Sequence, residues 1–118
     1  MPDKTMMILE RVMDVTAFRR KILASNIANA DTPGYKAKDV SFQAEMRKAL
    51  DDIKSGNIRN DHSFEIFETT NTMPNRDGNT VNVDIEMAKI SENSLTYNTA
   101  IQLYSRKARM LRDAIKAR

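Results

Sequence analysis

An all-α fold is predicted, with two long terminal helices in a coiled-coil hairpin and a short helix followed by an irregular middle segment that leaves room for a short strand. Three observations predict it. Apolar residues return at alternating steps of four and three through the last third of the chain. A broad apolar face runs through the first thirty residues, and Asp31-Thr32-Pro33-Gly34-Tyr35 then closes it abruptly. The chain reads as one domain in three parts, residues 1–35, 36–82 and 83–118.

In the first part, Leu9, Met13, Thr16, Leu23 and Ile27 form one seam, and Ile8, Val12, Val15 and Ile22 form its neighbour. Two adjacent seams make a face wide enough to meet more than one helix. Arg19 and Arg20 lie within it. Either their stems pack while the charges reach water, or they pair with a carboxylate on a neighbouring chain. The helix must end near Ala30, because Pro33 disfavours helical backbone at Thr32. Pro33-Gly34 suits the centre of a type II turn, where glycine supplies the positive φ.

Beyond the turn, Phe42, Met46, Leu50 and Ile53 recur at helical spacing, with Ser41 as N-cap and Gly56 as stop. Residues 57–80 hold no sustained period. Phe64, Ile66 and Phe67, with Glu65 and Glu68 interspersed, suit a short strand, and residues 71–79 are turn and loop material. A loop of that length in a small domain suggests a segment that binds or that orders on assembly.

The last part carries the clearest pattern. Val83, Met87, Ile90, Ser94, Tyr97, Ile101, Tyr104, Ala108, Leu111 and Ile115 keep the spacing without a slip, and neither Pro nor Gly interrupts them. That period belongs to a left-handed coiled coil. A helix of this length makes a rod of roughly 50 Å, too long for the rest of the chain to cover. Apolar burial contributes ~25 cal/mol per Å², while ordering costs ~1–2 kcal/mol per residue. A lone hairpin is therefore marginal, and partner chains must supply the missing burial.

Composition narrows the classes further. The 118 residues include no cysteine, which excludes disulfides, thiolate metal sites and a cysteine nucleophile. No window approaches the ~20 apolar residues of a spanning helix. Asp3, Lys4, Glu10, Arg11 and Asp14 break any apolar stretch near the start, so no cleaved secretory signal is expected there. The single histidine, His62, stands between Asp61 and Ser63 in a polar loop. A hydrolase triad needs residues brought together by a scaffold, and adjacent loop positions do not provide that. Asp77, Gly78, Asn79 and Asp84 lack the ligand spacing of a calcium loop, so Asp77-Gly78 reads as a turn. No enzyme chemistry, cofactor, metal or small-molecule substrate is expected.

Net charge is +3, and residues 104–118 hold six cations against one acid. Arg106, Lys107, Arg109, Arg112, Lys116 and Arg118 could follow a phosphate backbone, which keeps a small nucleic-acid-binding protein as the alternative. Against it, the six surround the helix, no aromatic platform interleaves them, and cations suit a helix C-terminus.

The run from Leu23 to Ala37, Leu-Ala-Ser-Asn-Ile-Ala-Asn-Ala-Asp-Thr-Pro-Gly-Tyr-Lys-Ala, resembles the N-terminal motif of bacterial flagellar rod, hook and related axial proteins. The short length, the Asp77-Gly78-Asn79-Thr80-Val81 string followed by Glu86, and the absence of a large inserted middle domain make it most similar to the small proximal rod proteins. The resemblance implies a structural subunit of the basal-body rod, the periplasmic tube that transmits motor torque. It implies export through the flagellar type III apparatus without a cleaved signal, and terminal helices paired in the innermost layer. The implied neighbours are other copies of the chain, other rod proteins and the ring-to-rod adapter; nucleic acid is not among them.

Asn26 and Asn29 lie three apart, and spacing alone leaves them either as register-setting amides between helices or as solvated residues at a fraying end; the resemblance favours register. Thr32, Pro33, Gly34 and Tyr35 would then aim the middle segment away from the helical layer. The expected assembly surfaces are the N-terminal face (Leu9, Val12, Met13, Ile22, Leu23, Ile27), the two amides with the turn, and the C-terminal seam (Met87, Ile90, Tyr97, Ile101, Tyr104, Leu111, Ile115).

Overall fold

The computed structural model describes residues 3–56, 63–69 and 73–117. Helix α1 spans Lys4–Ala28, strand β1 Lys38–Val40, helix α2 Phe42–Ser55, strand β2 Ile66–Glu68 and helix α3 Val83–Lys116. The expected hairpin is present. The partners along α1 and α3 run in opposite order, Glu10 with Tyr104, Thr16 with Asn93 and Asn26 with Glu86. The helices are therefore antiparallel.

Each helix begins on a side-chain cap that satisfies an otherwise orphaned N–H. Asp3 Oδ1 accepts from Thr5 N at 2.8 Å, Ser41 Oγ from Ala44 N at 3.2 Å, and Asn82 Oδ1 from Ile85 N at 3.2 Å. Asp84 and Glu86 add carboxylates to the first turn of α3, where the helix dipole favours them. Ser41 and Gly56 bound α2 as the sequence leads one to expect, with Gly56 left-handed at φ 76°. α1 stops at Ala28, two residues short of Ala30, where Asn29 leaves helical geometry at φ −102°, ψ 18° and the following amides, Ala30 to Ile27 O and Thr32 to Asn29 O, bond only three residues back.

The turn after α1 has the expected form. Tyr35 N donates to Thr32 O at 3.2 Å across Pro33 and Gly34, and Gly34 has φ 75°. Its amide donates to Asp77 O at 2.8 Å, so the turn rests on the loop ahead of α3. That loop holds its own turn, Gly78 N to Asn75 O at 2.9 Å, as Asp77-Gly78 suggests. β2 falls on the alternating stretch, and it pairs antiparallel with β1 in the register Lys38↔Glu68, Asp39↔Phe67, Val40↔Ile66. Only β1 lacks a signal in the sequence. Phe64 anchors the segment ahead of β2 on α1, its ring 5.2 Å from that of Phe18.

The molecule measures 67 × 27 × 17 Å, with a radius of gyration of 17.8 Å. A compact globule of this length would have about 13–14 Å. The apolar core is correspondingly thin: Val15, Leu23, Ala37, Val40, Ala49, Val81 and Ala100. Among the described residues, no helix is long and apolar enough to cross a membrane.

Candidate assembly surfaces

The hairpin is held by buried polar groups. Along α3, the residues buried against α1 are Glu86, Asn93 and Ala100, a row seven apart. Each precedes a member of the apolar seam by one position (Met87, Ser94, Ile101), so α1 lies on a row turned about 100° from those residues. Hydrogen bonding explains the rotation. Asn93 Nδ2 donates to the main-chain oxygen of Thr16 at 2.8 Å, while the Thr16 hydroxyl turns back along its own helix and donates to Val12 O at 2.7 Å.

Asn26 is the centre of this polar core. It is fully buried; Nδ2 donates to Lys38 O at 2.7 Å and to Glu86 Oε2 at 2.9 Å. Its Oδ1 accepts from Lys38 N at 3.0 Å and from the Tyr35 hydroxyl at 3.3 Å. One carboxamide thus joins α1, the turn, β1 and α3. Asn29 does something different: Nδ2 donates to Ser25 O at 2.8 Å and Oδ1 accepts from Thr32 Oγ1 at 3.1 Å, closing the helix end locally. The register reading therefore fits Asn26 within its own chain, while Asn29 stays at the helix end.

Neither expectation for Arg19 describes its position. Its guanidinium forms two parallel bonds to Asp39 of the same chain, Nε–Oδ1 at 2.8 Å and Nη2–Oδ2 at 3.0 Å. Lys89 Nζ approaches the same carboxylate at 3.5 Å. Burial pushes the Asp39 carboxyl up. The Arg19 bonds, the Val40 N–H and the Arg19 and Lys89 charges outweigh that effect, holding it below the ordinary aspartate value. Arg20 is exposed.

Asn79, fifty residues beyond α1, closes the other side of the turn. Fully buried, it donates from Nδ2 to Asn29 O at 2.9 Å and Thr32 O at 2.8 Å, while Oδ1 accepts from Val81 N at 2.8 Å. Thr80 Oγ1 accepts from Ala37 N at 2.8 Å. Among the described residues, every buried side-chain nitrogen and oxygen has a partner. Sequence reasoning missed Asp39, Asn79, Glu86 and Asn93 because polar residues away from an apolar seam read as solvated. The recurrence of Glu86, Asn93 and Ala100 beside the seam was the available signal.

The apolar surfaces anticipated for assembly are mostly uncovered. On α3, Met87, Ile101, Leu111 and Ile115 are exposed, and Ile90, Tyr97 and Tyr104 are half-buried on the shoulder facing α1. On α1, Leu23 is fully buried, whereas Leu9, Val12, Met13, Ile22 and Ile27 are half-buried. Thr32, Pro33 and Gly34 sit at the surface and Tyr35 is half-buried, its Oη 3.4 Å from Ser25 Oγ. Between α1 and α3 lies an open groove of about 640 Å³, floored by Ala17, Ala24, Ile90 and Tyr97 and rimmed by Arg20 and Lys21.

A second, polar cleft of about 450 Å³ lies between α1, α2 and the segment before β2. Lys48 bridges Glu45 at 3.4 Å and Glu65 at 3.3 Å beside it, which makes it an ion-paired surface. Among the described residues, no cluster of histidine and carboxylate side chains is placed to hold a metal. His62 and Asp61 lie outside the described residues, and Ser63 is exposed.

A family model described as flagella basal body rod protein matches residues 13–36, the second half of α1 and the turn. The flagellar basal body rod protein FlgB of Cereibacter sphaeroides is 36% identical over 109 residues, covering 83% of each chain. That of Salmonella typhimurium is 32% identical over 115 residues, covering 84% of this chain and 83% of the relative. That of Escherichia coli K12 is 29% identical over 119 residues, covering 87% and 86%. Nothing in these likenesses supports the nucleic-acid alternative. A rod-protein motif in α1 and its turn, and relatives that align along most of both chains, lead to one conclusion: the chain belongs to the FlgB family of flagellar basal body rod proteins, structural subunits of the rod.

Proposed function

We propose that the chain builds the rod by helical polymerisation, presenting the apolar seam of α3 and the half-buried face of α1 to different neighbours. Its partners are other copies of itself, other rod proteins and the ring-to-rod adapter, and the flagellar type III apparatus delivers it unfolded to the periplasmic space. One observation carries the reading. The hairpin closes on a polar row, Glu86 and Asn93 with Ala100, and leaves Met87, Ile101, Leu111 and Ile115 outside. Exposed apolar residues aligned on one helix face mark an interaction surface. Unlike surfaces on one subunit give heterologous contacts that extend without closing.

Ile101→Asp and Leu111→Asp test it, because neither side chain belongs to the buried row that closes the hairpin. Each variant should be exported, show unchanged helical circular dichroism when purified, and fail to enter basal bodies or restore swimming. Normal swimming by either would refute the assignment of the seam.

A further inference from the structure

We infer that the groove between α1 and α3 receives the outer face of α3 from a second copy lying alongside, parallel and level. The inference rests on the rod-subunit reading and adds which faces of two copies meet. Viewed down α3 at ~100° per residue, its apolar residues fall on two sides. Ile90 and Tyr97 line the groove, beside the seam of Met87 and Ile101. On the opposite side, Ile85, Ala88, Leu95, Leu103 and Met110 form a second row that runs past Glu92, and all six residues are exposed. Leu95 is 69% exposed, the most of any large apolar residue of α3 between Val83 and Met110.

Groove and row carry opposite charge. Arg20 and Lys21 stand on the groove rim, and among the described residues no carboxylate lines it. Asp14 shares the adjoining cleft with Lys21, which leaves Arg20 as the surplus cation. On the side of the row, Arg19 and Lys89 are matched by Asp39 and Glu86, which leaves Glu92 as the surplus acid. Arg106 stands past Leu103, beyond the length of the groove. The level of the contact follows from the hairpin. Within one chain Thr16 meets Asn93 and Asn26 meets Glu86, so Ala17, Arg20 and Ala24 lie level with residues between 86 and 93. An unshifted parallel copy therefore sets Glu92 at Arg20, Ala88 at Ala24 and Leu95 near Ala17. The two small alanines leave depth for Leu95 in a groove of about 640 Å³.

Other apolar surfaces bordered by acids suit this rim less well. At Ile66–Phe67, Glu65 is bridged by Lys48 and Glu68 stands across from Lys38. Leu50 has Asp51 and Asp52 beside it, but also Arg47, Lys48 and Lys54. At the start of α3, Asp31, Asp77 and Asp84 are balanced by Lys36, Lys38 and Arg76. None of these leaves a surplus carboxylate beside a helical apolar row. Because groove and row lie on opposite sides of α3, the contact is heterologous: each copy receives one neighbour and enters another. Copies then stand side by side in one tier, all pointing the same way.

The native chain contains no cysteine, so single replacements report contacts between copies. Ala24→Cys and Ala88→Cys chains are co-expressed in place of the native chain, and basal bodies are isolated and mildly oxidised. Ala17→Cys with Leu95→Cys is the second pair, and Ile66→Cys probes the sheet. Bonds 24–88 and 17–95 should dominate. Glu92→Lys in the Ala88→Cys chain should cut the 24–88 bond about tenfold, because an exposed attraction becomes a repulsion. Arg20→Glu in the Ala24→Cys chain should restore it. Cysteine-free chains give a second readout: Glu92→Lys should lower incorporation, and Arg20→Glu in the same chain should recover it. The inference is overturned if that rescue fails, or if position 24 bonds mainly to itself, to position 66 or to a protein of different sequence. It is also overturned if neither bond forms in basal bodies that contain the variants, and all these results leave the rod role standing. Basal bodies that contain none of this chain, native or variant, would instead defeat the rod role.

Discussion

Asn26 occupies a position where neither a smaller nor a charged residue can replace it. The amide donates to Glu86 and Lys38 while accepting from Lys38 N and Tyr35 Oη. Asn26→Ala strips Glu86 Oε2 of its amide donor, leaving that carboxylate the longer Lys89 contact at 3.8 Å, removes the side-chain partner of the Lys38 amide, and should lower stability by about 2–3 kcal/mol in urea unfolding. Asn26→Asp should cost more at neutral pH, since it sets a second carboxylate against Glu86, and the gap between the two variants should narrow in acid. Asp39 makes a separate pH prediction. Its carboxyl titrates below the unfolded value of about 3.9. The stability it contributes is therefore fully present above pH ~4 and is lost as pH falls through the depressed folded value. Acid titration followed by circular dichroism should show this loss in the native chain. Asp39→Asn, already weakened by an unpaired Arg19, should show a flatter profile below pH 4.

The connecting turns and the long helices set separate tests. Gly34 and Gly56 have nearly the same left-handed φ, 75° and 76°, and a Cβ at either meets open space. Valine at each should therefore lower thermal stability by a similar amount, about 1–2 kcal/mol. Gly34 also donates to Asp77 O and Gly56 only ends α2, so Gly34→Val should impair incorporation into basal bodies more; equal tolerance would remove the special role of the turn. The limits of α2, the Pro33-Gly34 turn, the long α3 and the strand at Ile66–Glu68 were all legible in periodicity and cap residues. The face on which α3 meets α1 was not. An apolar heptad announces where burial is available, but the hairpin is fixed by Asn93 and Glu86, whose partners are a backbone carbonyl and an amide on another helix. Those partnerships leave no periodic trace in α1. β1 was likewise silent, since three residues pair only because Ile66–Glu68 lies beside them.

At the scale of the whole molecule, a thin core and an extended shape mean few residues hold the hairpin. Hydrogen exchange should find its slowest amides where Val15–Asn26 faces Glu86–Ala100, and its fastest along residues 109–117, where opening needs no tertiary contact to break. Assembly should slow exchange in that last segment by orders of magnitude; unchanged exchange in assembled basal bodies would contradict every model in which it docks. The closure by Asn79 has a further consequence. The carbonyls of Asn29 and Thr32, already bonded by the amides of Thr32 and Tyr35, each take a second bond from a side chain 50 and 47 positions later. A chain that emerges amino end first therefore can shape its opening bend from neighbouring residues, and the second half, on arriving, clamps a bend already made.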